Sequence, residues 1–325
     1  MDVSDVVRLL DLVKLKDNII QTSIVAWKYH ITPSSLEKWL DNFTGAALGD
    51  KVAEQTIAAW LLTNFTYYTE AEVRELCRLI YRNYIHRKLQ EDYYQKSSNP
   101  IQTKIQRILK RSIFVPLGNP SESGALILFN FRTANVLPKE IFEQPTNWKE
   151  KLADGTIDDV VLIDDVTLSG SQAIQYVQSL PLAGVQTTLM TFFATPLAIN
   201  NLKYHVPFLN LMPVNLLDAR TNLFSNDSFV FSNEDCLQLK DLAYTLCLYY
   251  GQKIVDSELP FAESYMKKYP LGFANGQHLF GFYYNTPDNT LPIFWCESSN
   301  WNPAFVRYAK VYDTEGVEIQ NEQYW

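Results

Sequence analysis

Histidine and cysteine are scarce in this chain, with four of each among 325 residues. The cysteines stand at Cys77, Cys236, Cys247 and Cys296, and none sits in a CxxC pair. That spacing signals neither a zinc site nor a disulfide framework, and unpaired cysteines fit a reducing cytoplasm. No apolar run approaches the roughly 18 residues that cross a bilayer. The first stretch, MDVSDVVRLLDLVKLKDN, is charged throughout and lacks the layout of a signal peptide. The expectation is a soluble, cytoplasmic protein with no membrane partner. Basic charge is also in deficit, with 28 Lys and Arg against 36 Asp and Glu and a formal net charge of −8. This argues against bulk attraction to nucleic acid, while a local basic patch stays compatible with it. No Gly-x-x-x-x-Gly-Lys-Ser/Thr loop is present, which removes the P-loop class.

What is abundant is core material. Hydrophobic residues make up 47% and charged residues 20%, so a large folded core is expected rather than disorder. Residues 1–111 read as a helical region. Apolar residues recur at helical spacing in VVRLLDLVKL, Pro33-Ser34-Ser35 marks a helix start, and EQTIAAWLLTNF is a long amphipathic segment. Thr69 caps a helix whose first turn is acidic. IQTKIQRILKR is one more helix, with Lys104, Arg107, Lys110 and Arg111 on one face. That basic stripe is either a solvated face or a contact for a nucleic-acid backbone.

From residue 112 the pattern alternates. SIFVPL reads as a strand, 125–137 as a helix, 158–163 as a strand, 171–179 as a helix ended by Pro181, 185–195 as a strand, and 209–217 as another. Such alternation predicts a parallel α/β sheet flanked by helices. Residues 112–325 are therefore read as one α/β domain with a β-containing C-terminal extension. In that extension EDCLQLKDLAYTLCLYYGQKI reads as a helix stopped by Gly251. Trp295 and Trp301 are expected in the core, while Arg307 and Trp325 are candidates for an interface or a stacking site.

The informative stretch is VVLIDDVTLSGSQA, residues 160–173. Four apolar residues make a buried parallel strand. Asp164 and Asp165 stand at its carboxyl end, where open α/β sheets bind ligands. Thr167, Ser169, Gly170 and Ser171 follow in a loop that opens a helix. A helix N-terminus favours an anion, Gly170 lets the backbone approach closely, and the hydroxyls add donors. Carboxylates accept hydrogen bonds from vicinal hydroxyls or hold a divalent metal. A sugar phosphate, with two hydroxyls at one end and a phosphate at the other, matches that order of groups. A plain capping turn is the alternative.

This arrangement resembles the phosphoribosyl-pyrophosphate (PRPP) signature of type I phosphoribosyltransferases. The resemblance implies that Asp164 and Asp165 take the ribose and that Ser169, Gly170, Ser171 and Gln172 take the 5-phosphate. Two positions depart from the family loop Thr-Thr-Gly-Gly-Thr: Leu168 has no donor and Ser171 replaces the second glycine. Both leave phosphate binding in place and put PRPP turnover in doubt. In FVPLGNPSESGA, the loop from Gly118 to Gly124 stands where that family binds pyrophosphate, with Ser121, Ser123 and Gly124 leading a helix and Arg132 further along it. An ordinary capped turn is equally compatible.

Four segments occur in this order in a narrower group, the phosphoribosyltransferase-like PRTase-CE family of bacterial conflict and antiphage gene clusters. They are AAWLLTNFTYYTEAEVREL, PLGNPSESGA, VVLIDDVTLSGSQA and NTPDNTLPIFW. The resemblance implies a type I phosphoribosyltransferase-like core with a helical N-terminal region and a role in phage defence. It implies a ribose phosphate or nucleotide ligand, Mg2+ brought with that ligand, and a partner protein of the same system. An enzyme transferring phosphoribosyl groups, a non-catalytic nucleotide sensor and an effector directed at RNA or tRNA all remain open. The turn NTPDNTLP is either structural or the rim of the sugar-phosphate site. His278 reads as structural.

Overall fold

In the computed structural model, the described residues are 2–94, 99–118, 123–142, 150–180, 182, 185–258, 266, 268–308, 311–312 and 318–319. Ser121, Pro181, Trp325 and residues 95–98 lie outside them. The chain forms two compact units, Met1–Glu70 with Ala219–Trp325, and Ala71–Asp218. The boundary anticipated at 111/112 falls inside the second unit.

The first unit opens with helices α1 (Val3–Leu9), α2 (Leu12–Val25), α3 (Pro33–Leu40) and α4 (Lys51–Thr63). VVRLLDLVKL, read as one helix, is two, because the Asp11 side chain accepts from Val13 and Lys14 and starts a second helix. Strand β1 (Thr66–Tyr68) follows. The second unit contributes α5 (Glu70–Tyr94), α6 (Ile101–Lys110), β2 (Ser112–Pro116), α7 (Ser123–Ala134), β3 (Asp159–Thr167), α8 (Ser171–Gln178), β4 (Gln186–Ala194), α9 (Pro196–His205) and β5 (Leu209–Leu216). The chain then completes the first unit with α10 (Lys240–Ser257), β6 (Phe280–Phe282) and α11 (Pro292–Trp295).

In the first unit β1 pairs with β6 in parallel, Thr66 with Phe280 and Tyr68 with Phe282. Its core gathers Trp39, Phe43, Trp60, Tyr250, Phe294, Trp295 and Trp301. Each buried Trp39, Trp295 and Trp301 indole N–H donates to a carbonyl, at Ile293, Thr290 and Ile293. Trp295 and Trp301 are thus core residues, and Arg307 lies over the Trp295 ring at 5.2 Å. The buried carboxylate of Glu54 on α4 accepts from the backbone N–H of Gly45, Ala47 and Leu48 and from the Tyr250 hydroxyl on α10. That set of donors is what lets a carboxylate sit in this core. Gly251 does not end its helix: α10 runs on to Ser257, and a Cβ at Gly251 would stand 2.0 Å from the Pro270 carbonyl oxygen. The glycine is there for a close approach, not a stop. The turn NTPDNTLP is pinned by Thr286 donating to Val306 and Thr290 donating to Phe280, which is the structural role.

In the second unit β2, β3, β4 and β5 form one parallel sheet in that order. Alternate strand residues face opposite sides. Ile113, Val115, Val160 and Leu162 pack with Ala173 and Val177 of α8 and Leu202 and Val206 of α9. Phe114 faces the other way, against Phe131 of α7 and Tyr84 of α5. Helices therefore cover both faces, as the alternating pattern predicted.

A buried polar cluster fixes the amino end of this sheet. Lys88 on α5 meets the Asp159 carboxylate at 2.6 Å, and the Tyr84 hydroxyl donates to the same oxygen at 2.9 Å. Burial pushes the Asp159 carboxyl upward, with Lys88 pulling the other way. By contrast, the Arg111–Asp158 pair beside it is about half exposed. Arg111 is thereby drawn out of the basic stripe.

Two predictions follow from these environments. Asp159→Ala leaves the largely buried Lys88 with Glu91, 3.6 Å away and partly exposed, as its acidic partner among the described residues. It is therefore expected to cost about 3 kcal/mol, while Asp158→Ala costs less than about 1 kcal/mol; urea unfolding compares them. His278 is buried, and its Nδ1–H donates to the Thr221 carbonyl. Burial pushes its imidazole down from 6.5 to about 4, partly offset by that carbonyl. The unfolded chain takes the proton first as pH falls, so stability present above pH 6.5 is lost towards pH 4. Acidification from pH 7 to 4.5 should therefore destabilise the wild type by about 2.5 kcal/mol more than it does His278→Asn; equal losses would refute this role.

Candidate functional site

Strand β3 outlasts its neighbour. The register with β2 ends where Pro116 meets Ile163, whereas the register with β4 continues through Asp164↔Thr191 to Thr167↔Ala194. Beyond Pro116 the chain turns at Gly118, whose φ is +84°. Asp164 to Thr167 thus form an overhang with β4 on one side only. The two aspartates, expected just beyond the strand, are its last residues but two.

The β2–α7 turn closes against this overhang. A Cβ at Gly124 would lie 2.6 Å from the Leu117 carbonyl oxygen and 3.3 Å from that of Ile163. Only glycine lets the first turn of α7 come this near to the end of β3. Ser123 and Gly124 are therefore brought beside Asp164. Ser121 and the rest of 119–122 lie outside the described residues. Arg132 is not brought there: it is nine residues into α7, about 13 Å along the axis, and its guanidinium lies over Phe129 at 6.0 Å.

Asp164 is 6% exposed and its Oδ1 accepts from the Asp165 N–H at 2.9 Å. Asp165 is half-buried and accepts from the Val166 N–H at 2.7 Å. Neighbouring strand residues point to opposite faces, so the two are not parallel ligands. Asp165 is the more accessible carboxylate, and Asp164 shapes the backbone beneath it. The hydroxyl of Thr167 is buried and makes no hydrogen bond.

The loop after Thr167 has its carbonyls turned to one side. The Thr195 N–H donates to Thr167 O at 3.1 Å. The Thr195 hydroxyl donates to Leu168 O, and Asn201 Nδ2 donates to Ser169 O at 2.8 Å. In a trans peptide the N–H points opposite to the C=O. The N–H groups of Leu168, Ser169 and Gly170 are therefore turned away from α9 together. Successive N–H groups of this kind make an anion-binding concavity. Gly170, at φ +75°, is the N-cap of α8 and brings no side-chain acceptor to that helix start. Ser169 and Ser171 are joined by a 3.0 Å hydrogen bond between their hydroxyls, and Gln172 is exposed in the first turn. The arrangement offers hydroxyl acceptors at Asp165 and anion donors along 168–170, in the order a sugar phosphate needs.

Sequence reasoning missed the residues that shape the loop from outside. Thr191 on β4 is fully buried and donates to Asp165 O at 2.7 Å. Thr195 was legible as a helix cap before Pro196, and it does accept from Ala198 N–H, but its bond to the loop carried no local signal. Asn201 carried none at all.

The sequence matches the profile of the PRTase-CE family over residues 36–307. This is well over half of the chain, and the chain belongs to that family. A comparison with curated proteins finds no match. Among the described residues, no helix is long and apolar enough to cross a membrane.

The close approach at Gly124 and the left-handed backbone at Gly170 yield one test. Gly124→Ala must push α7 off the strand end and is expected to lower stability by about 1–3 kcal/mol. Gly170→Ala costs about 1–2 kcal/mol for its backbone alone. Thermal unfolding reads both, and a Gly124→Ala protein as stable as wild type would contradict the packing described.

Proposed function

We propose that this phosphoribosyltransferase-like protein binds a ribose 5-phosphate ligand, PRPP or a nucleotide, at the β3 overhang and the loop that follows. The observation that carries the reading is the joint turning of the 168–170 N–H groups beside an accessible Asp165. Phosphate would sit in that concavity at the positive end of α8. Asp165 would accept from the ribose hydroxyls, and Asp164 would hold the strand end in shape. Ser169, Ser171 and Gln172 would line the phosphate side, with Thr167 beneath them. Ser123 and Gly124 would border the face where a pyrophosphate or the rest of a nucleotide leaves the ribose.

Mg2+ would come with such a ligand. Among the described residues no group of three His, Cys, Asp or Glu side chains gathers to hold a metal. A single carboxylate at a strand end suits Mg2+ held mainly by phosphate oxygens, with Asp165 as the protein's share. When bound, the ion would offset phosphate charge.

Leu168 in the loop and the Ser169–Ser171 hydrogen bond favour ligand holding over rapid turnover. Occupancy of the site, read by a partner protein in an antiphage system, is the proposed role. The basic face of α6 remains the place where an RNA-directed role would be sought.

Calorimetric titration with PRPP and Mg2+ tests this. Wild type should bind, and Asp165→Asn should weaken binding by at least about tenfold, about 1.4 kcal/mol. Asp164→Asn should act mainly on stability. Wild-type binding that survives Asp165→Asn unchanged would place the ligand elsewhere.

A further inference from the structure

The loop that follows Asp165 departs from the phosphoribosyltransferase pattern at two positions, Leu168 and Ser171. A loop with fewer glycines has less freedom to turn successive N–H groups to one side. Yet four carbonyls, at Asp165, Thr167, Leu168 and Ser169, are all met from β4 and α9. The donors are Thr191 Oγ1, Thr195 N, Thr195 Oγ1 and Asn201 Nδ2. The turn is thus imposed from outside the motif.

We propose that Asn201 is a positioning residue for the phosphate subsite, holding the Ser169–Gly170 peptide so that its N–H faces the ligand. This rests on the ribose-phosphate reading above. The geometry singles out Asn201 among the donors. Thr191 is fully buried in β4 and also lies 3.0 Å from Phe193 O. Thr195 also caps α9 through Ala198 N–H. Those two serve the fold as well as the loop. Asn201 is half-buried in the second turn of α9, and its amide nitrogen reaches the Ser169 carbonyl across 32 residues of sequence. The peptide it holds is the one before Gly170, where the left-handed backbone begins. Releasing that carbonyl lets the peptide rotate and turns a donor away from the anion.

The test combines two readouts on the full chain. Amide hydrogen exchange of the ligand-free protein compares wild type with Asn201→Leu, which keeps the side chain's size and removes its donor. Titration with PRPP and Mg2+ compares wild type, Asn201→Leu and Asn201→Gln, which restores an amide donor. The expected result is faster exchange confined to 166–172 in Asn201→Leu and an affinity lower by about tenfold, as loss of one oriented donor predicts. Asn201→Gln should recover most of the affinity, and the melting temperature should stay close to wild type in both. Unchanged exchange, or faster exchange with unchanged PRPP affinity, overturns the positioning role while leaving the site reading intact. A wild-type protein that does not bind PRPP overturns the site reading and this inference with it.

Discussion

The unequal length of two neighbouring strands governs this protein's candidate site. β2 stops at Pro116 and β3 runs on to Thr167. The last bond from this side is the Leu117 N–H to Ile163 O at 2.9 Å, and Gly118, at φ +84°, then turns the chain away. The ledge left at Asp164–Thr167 is paired with β4, and among the described residues no strand pairs with its other edge. Everything proposed for the ligand takes place along that edge. Gly124 matters for the same reason, because it lets the first turn of α7 approach the end of β3 closely.

Two different devices hold the ledge and its loop. At the amino end of the sheet, Lys88, Tyr84 and Asp159 tie α5 to the start of β3 inside the core. At the carboxyl end, Thr191 of β4, Thr195 before α9 and Asn201 of α9 take the carbonyls of Asp165, Thr167, Leu168 and Ser169. The first device sets where the strand lies. The second sets which way its peptide dipoles point, and so the sign of the field above the loop. In a chain of net charge −8, N–H groups aligned in this way are a source of local positive charge that needs no lysine or arginine.

Much of the second unit was legible in the sequence. The strand 158–163, the helix after Gly170, and the helix in 125–137 follow from apolar period and caps. They are local signals, and the structure agrees with them to within a few residues. Asp164 and Asp165 stood out in the sequence because they are adjacent acids at the end of an apolar run. What escaped was non-local. β1 is three residues long and pairs with β6 more than 200 residues later, so no local pattern could announce it. The first unit is assembled from both ends of the chain, and a linear reading cut it at 111/112 instead. Gly251 read as a helix stop because the Pro270 carbonyl that needs the space is distant in sequence. Arg132 could, from its place in the sequence, either reach an anion or stay solvated, and its position nine residues into α7 sets it about 13 Å from the helix start. Asn201 is an ordinary exposed-helix residue in the sequence, and its partner is a backbone oxygen, which leaves no trace in residue types.

The most direct measurement is a crystal structure of the protein with ribose 5-phosphate bound. The account predicts phosphate density within hydrogen-bond distance of the Ser169 and Gly170 N–H groups and ribose hydroxyls facing the Asp165 carboxylate. Density for the ligand elsewhere on the chain, or a bound ribose 5-phosphate whose phosphate makes no contact with the 168–170 N–H groups, would contradict it.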